Sequence, residues 1–199
     1  MVISKDKRFL FIRIQKTASS SIKESLFNEC PDCIETLTHS IAKDEKEKIT
    51  NWDNYFKFAF VRNPFERLVS WYNMIQFNYN PIFEPNNLWK YAMDNSTNFT
   101  EFIKNCTEPI LEGEYRCFAW NQLDYISNDN GIIIDFIGRY ENLNSDFEVI
   151  CHNIGINAPI LPKVRVGKQV NYRDYYTDET KSIISERFKR DIDYFNYKF

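Results

Sequence analysis

The chain has little of what marks several large classes of protein. No stretch approaches the ~18 apolar residues of a membrane span, and the charged N-terminus runs into a strand-like segment without the apolar core of a signal peptide. A cytoplasmic location with no membrane span is the expectation. Basic charge is not in excess: Lys and Arg number 25 against 28 Asp and Glu, for a formal net charge of -3. Such a surface does not draw in polyanions, so nucleic acid is not an expected partner and any anion site must be local. Histidine is scarce, with only His39 and His152. The five cysteines, Cys30, Cys33, Cys106, Cys117 and Cys151, are odd in number with one close pair, which argues against a disulfide framework and for a reducing compartment. Cys30-Pro31-Asp32-Cys33 supplies half of a zinc site, and with no second CxxC or clustered histidine no metal is expected. The pair reads as incidental thiols near a helix end. A G-x-x-x-x-G-K-[ST] loop is also missing, which removes the usual evidence for ATP or GTP.

What is present fits one globular domain over residues 1–199. Hydrophobic residues make up 43% of the chain and charged residues 27%, and aromatics reach 17%, dense enough to suggest either a large aromatic core or a groove that stacks on flat ligands. Arg8 to Ile14 and Tyr55 to Val61 read as buried strands, Ile34 to Thr38 as a weaker one, and Ile132 to Ile137 as a fourth. Helical spacing marks Ser20 to Asn28, the charged Ile41 to Ile49, the stripe Phe65, Leu68, Val69 and Tyr72 behind Pro64, then Leu143 to Ile154 ahead of Gly155, and Thr177 to Phe195. Residues 73–130 are less regular, with short helices predicted at Leu88 to Met93 and Phe99 to Cys106, and read as an insertion or lid. Strands alternating with helices predict an α/β fold with a central parallel sheet flanked by helices.

In such a sheet ligands bind beyond the carboxyl ends of the strands. After the first strand comes Gln15-Lys16-Thr17-Ala18-Ser19-Ser20-Ser21. Small residues let the backbone curl, the following helix offers N-H groups at its positive end, and Lys16 adds a point charge, which together make an anion cradle. A Ser-rich turn with an incidental lysine is the plainer reading. After the third strand comes Arg62-Asn63-Pro64, with Ser70 further along the helix that Pro64 opens. Arg62 and Ser70 are candidates to share one phosphate through charge-assisted bonds, against the plainer reading of an arginine that caps a strand end.

Lys16-Thr17-Ala18-Ser19-Ser20-Ser21 and Arg62-Asn63-Pro64 with Arg67 and Ser70 resemble the 5'-phosphosulfate loop and the 3'-phosphate motif of sulfotransferases that use 3'-phosphoadenosine 5'-phosphosulfate (PAPS). The likeness is greatest to the carbohydrate branch that includes heparan sulfate 2-O-sulfotransferase. His39, the stretch Asp135 to Leu143 and the stretch Tyr172 to Tyr176 agree with it. The chain departs from many relatives in having Gln15 where they have proline, and Ala18 and Ser19 where they have glycine. The resemblance implies a P-loop-like sulfotransferase fold in which Lys16, Thr17, Ala18, Ser19, Ser20 and Ser21 hold the 5'-phosphosulfate of PAPS. It further implies that Arg62 and Ser70 bind the 3'-phosphate, that Gly167 and Lys168 lie in a basic loop closing over the nucleotide, and that His39 is the base and Lys16 a catalytic cation.

The expected acceptor is a hydroxyl compound, with a glycan favoured, and residues 73–130, with Trp89, Tyr91, Tyr115, Phe118 and Trp120, are expected to form its wall. Arg139 and Glu141 are candidates to order the site. Two rival functions remain open on the sequence. A phosphotransferase would need magnesium-binding carboxylates near the loop, where the chain has Arg62-Asn63-Pro64. A noncatalytic nucleotide- or glycan-binding protein would have no need of Lys16 and His39 together.

Overall fold

The computed structural model describes residues 1–37, 39–77, 87–108, 117–162 and 170–199. In chain order the elements are β1 (Val2–Ser4), β2 (Phe9–Ile12), α1 (Ser19–Glu29), β3 (Ile34–Glu35), α2 (Ala42–Lys46), β4 (Phe56–Val61), α3 (Pro64–Phe77), α4 (Asn87–Asn95), α5 (Phe99–Cys106), α6 (Leu123–Ile126), β5 (Ser127–Asn128), β6 (Gly131–Ile132), β7 (Phe136–Arg139), α7 (Leu143–Ile154), α8 (Asp178–Arg187) and α9 (Lys189–Phe195). They divide into two compact units, residues Met1–Arg62 with Gln122–Val166 and residues Asn63–Asn121 with Gly167–Phe199.

The first unit is built on a sheet of order β3-β1-β2-β4-β7. β2, β4 and β7 run parallel, as expected, and β1 and β3 add an antiparallel edge. Every residue of β2 is buried, as are five of the six in β4, which is why these strands read as unbroken apolar runs rather than as alternation. On one face Phe9, Phe11, Phe58 and Phe60 meet Ile22 and Leu26 of α1 and Phe147, Ile150 and Ile154 of α7. The rings of Phe11 and Phe58 stack at 4.9 Å. Each such burial is worth about 1.5–3 kcal/mol, so this face holds α1 and its N-terminal loop against the parallel strands.

The strand expected over Ile132 to Ile137 is split. The two-residue loop Asp129-Asn130 folds Gly131 and Ile132 back onto Ser127 and Asn128 as a hairpin, with Gly131 at a φ of 117° that side chains rarely tolerate. Asp135 then docks on Lys57, accepting from its backbone N-H at 2.7 Å and its ammonium at 2.8 Å. The chain enters the main sheet only at Phe136. Within β7 a Cβ on Gly138 would lie 2.5 Å from the Phe60 ring. Gly138→Ala is therefore expected to destabilise the fold by about 1–3 kcal/mol, the usual cost of overpacking, and a lowered midpoint in urea at unchanged slope would register it.

The second unit accounts for much of the aromatic surplus. Phe65, Tyr72, Phe99, Phe102, Phe118, Tyr175, Tyr176 and Phe199 gather in its core, mostly edge to face, the arrangement that aromatic quadrupoles favour. Phe118 is fully buried there, so its expected place on an acceptor wall is corrected: it packs edge-on to Trp71 and Phe102. Arg67 is buried as well and donates to the carbonyls of Trp120 and Cys117. α8 opens with a capping box between Thr177 and Thr180, which satisfies two of the backbone groups that a helix start leaves unpaired. Tyr115 lies outside the described residues.

Candidate functional site

The candidate residues read from the sequence in the first unit collect at the carboxyl ends of its parallel strands. β2 ends at Ile12, β4 at Val61 and β7 at Arg139, and Val61 sits in register with Arg139. The loop after β2 turns on two left-handed residues, Lys16 at φ 67° and Ala18 at φ 62°. Left-handed geometry costs a residue with a Cβ roughly 1–2 kcal/mol, and glycine stands in this loop in many of the enzymes that the motif resembles. The conformation is held from inside. The Thr17 hydroxyl, fully buried, donates to the Ile14 carbonyl at 3.0 Å. The hydroxyl proton of Thr17 is therefore spent inside the loop.

α1 starts directly from this turn. Its N-cap is Ala18, which has no side chain able to cap, and its first turn carries no acidic residue. The first intrahelical bond runs from the Ile22 N-H to the Ala18 carbonyl at 3.1 Å. The start of α1 thus presents partial positive charge, with no acidic residue in its own first turn, and Lys16 stands in the loop that leads into it. This is the donor set that a phosphate or sulfate group needs, and the residues fit such a group.

Arg62 follows β4 and is locked from three sides. Its backbone N-H donates to the Gln122 side-chain carbonyl and its own carbonyl accepts from the Gln122 amide, both at 2.8 Å. Its guanidinium donates to the Lys16 carbonyl at 3.2 Å and lies 3.8 Å from the centre of the Tyr140 ring, a stacked cation-π contact. The structure therefore joins two of the sequence-predicted residues, Lys16 and Arg62, through the backbone of the loop. Gln122 was not legible in the sequence, because its partner lies 60 residues away and no short motif marks a side chain that pairs with backbone. Tyr140 lay within a recognised stretch but had no role assigned.

His39 stands at φ 60° beside the end of β2. Its Nδ1 is 2.8 Å from the carbonyl oxygen of Arg13, the residue after β2. A carbonyl only accepts, so Nδ1 carries the proton and Nε2 of the neutral ring holds the lone pair. Arg13 is itself fixed by an ion pair with Glu35, which also binds Lys23. Of the other candidates, Arg139 donates its backbone N-H to Asp146 at 2.6 Å, and Glu141 is exposed on the turn before α7. Ser70 lies half-buried on α3, in the second unit. Gly167 and Lys168 lie outside the described residues.

The remaining features are quieter. His152 is exposed on α7. All five cysteines are free and buried, and burial pushes the Cys33 thiol up to about 12, which leaves almost no thiolate at neutral pH. Among the described residues no three His, Cys, Asp or Glu side chains gather as a metal ion would need, and no helix is long and apolar enough to cross a membrane.

Comparison with known proteins bears on this arrangement. The chain is 25% identical to carbohydrate sulfotransferase 10 of Xenopus laevis over 98% of its own length and 66% of that protein's. It is 24% identical to carbohydrate sulfotransferase 10 of Homo sapiens over 96% of its own length and 65% of that protein's. The chain thus spans about two thirds of the length of these relatives. Among solved structures, a sulfotransferase from Alicyclobacillus acidocaldarius aligns over 96% of both chains with a TM-score of 0.40 and 12% identity. The profile of the Sulfotransferase family matches residues 1–198, and the chain belongs to that family.

Proposed function

We propose that the protein transfers a sulfuryl group from PAPS to a hydroxyl acceptor, with a carbohydrate as the favoured acceptor class. The observation that carries this reading is the pairing of an uncapped, carboxylate-free helix start at Lys16 to Ser21 with Arg62, which is bonded to that loop through the Lys16 carbonyl. PAPS bears an anionic group at each end of its ribose, and two anion-binding elements call for a ligand of that kind. When bound it supplies an electrophilic sulfuryl group to the acceptor oxygen.

In this reading Lys16 and the N-H groups of Thr17, Ala18, Ser19, Ser20 and Ser21 hold the 5'-phosphosulfate and stabilise the negative charge that grows on the leaving phosphate. Arg62 and Ser70 hold the 3'-phosphate. His39 takes the acceptor's hydroxyl proton at Nε2, since Nδ1 is committed to Arg13, and that tether keeps the ring in one tautomer. Gly167 and Lys168 complete the nucleotide contacts. Trp89, Tyr91 and Trp120 are proposed to contribute to the acceptor wall from the 73–130 segment, in one functional domain. The printed names of the carbohydrate sulfotransferase relatives favour a glycan hydroxyl, and the five free thiols favour a reducing, cytoplasmic setting.

Isothermal calorimetry with 3'-phosphoadenosine 5'-phosphate and with AMP tests the donor assignment. Only the first engages both anion-binding elements, so it is expected to bind much more tightly. Equal affinity for the two would remove PAPS from the account.

A further inference from the structure

Gln122 does something unusual for a side chain: its amide mimics a neighbouring strand. β4 ends its ladder at Val61, paired with Arg139, and the next residue, Arg62, has backbone groups that the sheet no longer serves. Gln122, with no exposed surface, meets both of them at 2.8 Å, accepting from the Arg62 N-H and donating to the Arg62 carbonyl. The same Arg62 then reaches sideways, its guanidinium over Tyr140 and bonded to the Lys16 carbonyl. A planar fork aimed at an anion is useful only while its Cα is held still, because its donors are fixed relative to one another.

We propose that Gln122 is a positioning residue for the donor nucleotide: by clamping the backbone of Arg62 it sets the direction of the guanidinium, and with it the discrimination between nucleotides that carry a 3'-phosphate and those that do not. The inference rests on the donor reading above. Gln122 touches no ligand in this account and acts through Arg62. The choice of amide is chemically specific. A carboxylate would keep an acceptor for the N-H but turn an oxygen towards the Arg62 carbonyl, and an apolar isostere would leave two buried backbone groups without their partner.

The test compares the parent with Gln122→Met and Gln122→Glu by calorimetry, titrating 3'-phosphoadenosine 5'-phosphate and AMP into each, with a thermal melt as a check on folding. The quantity of interest is the ratio of the two affinities, which a general loss of stability does not move. Gln122→Met is expected to cut the preference for the 3'-phosphorylated nucleotide by roughly tenfold, the scale of one charged hydrogen bond, while AMP affinity stays within about threefold of the parent. Gln122→Glu should fall between the two, and it carries the test should Gln122→Met not fold. A parental preference in the folded variants overturns the proposal, as does an equal fall in both affinities, which would make Gln122 merely structural. A parent with no preference at all overturns the donor reading first and this inference with it.

Discussion

His39→Ala is expected to lower turnover by roughly two to four decades, the range that a positioned base contributes, while leaving the affinity for 3'-phosphoadenosine 5'-phosphate close to parental. An alcohol is a poor nucleophile until its proton begins to leave, and Nε2 of His39 is the atom with the lone pair, because Nδ1 is spent on the Arg13 carbonyl at 2.8 Å. The nucleotide contacts assigned to Lys16, Arg62 and Ser70 do not use the imidazole, so the two phenotypes should separate. His152→Ala serves as the control, since His152 is exposed on α7, and it should leave turnover within a few-fold of the parent. The measurement is the initial rate at saturating donor together with product-nucleotide affinity for each variant. Near-parental turnover in a folded His39→Ala protein would move the search for the base to the carboxylates, with Glu141 first among them.

Arg62→Ala is expected to remove most of the preference for the 3'-phosphorylated nucleotide over AMP. A charged hydrogen bond is worth about 1.5–3 kcal/mol, or roughly one to two decades in affinity. The substitution also deletes the bond to the Lys16 carbonyl and the stack on Tyr140, so a smaller loss of AMP affinity should accompany it as the loop loosens. Arg62→Lys should recover only part of the preference: an ammonium keeps the charge but has neither the planar fork nor the flat face that lies on the tyrosine. A preference that survived intact in Arg62→Ala would assign the 3'-phosphate to other residues.

The parts of this protein that were legible in the sequence are those written in local chemistry. Pro64 marks the start of α3, Gly155 the left-handed end of α7, and the apolar runs of β2 and β4 mark strands buried on both faces. The tight loop between β2 and α1 was legible for the same reason, since small residues and a lysine between strand and helix constrain the backbone within seven positions. What escaped is set at long range or by pieces too short to show a period. β1 has three residues, and only its pairing with β2 and β3 makes it a strand. β7 enters the sheet later than its apolar run suggests because the hairpin at Asp129-Asn130 claims Ile132 and Asp135 fixes the entry point on Lys57. Phe118 looked like a surface aromatic in an irregular stretch, and packing against Trp71 and Phe102 buries it. Gln122 and the Arg13 tether of His39 belong to the same class, as contacts between a side chain and a distant backbone, which sequence spacing does not encode.

The most direct test of the central claim is transfer itself. Incubating the protein with PAPS labelled in its sulfate, alone and with a panel of glycans and simple phenols, and following label in the acceptor fraction, reads the reaction without assuming its partner. The account predicts time-dependent labelling of at least one hydroxyl acceptor, a glycan first, with matching release of 3'-phosphoadenosine 5'-phosphate and with both signals lost in His39→Ala. Tight binding of the nucleotide with no label transferred to any acceptor, and no difference between parent and His39→Ala, would contradict it and leave a nucleotide-binding protein on a sulfotransferase fold.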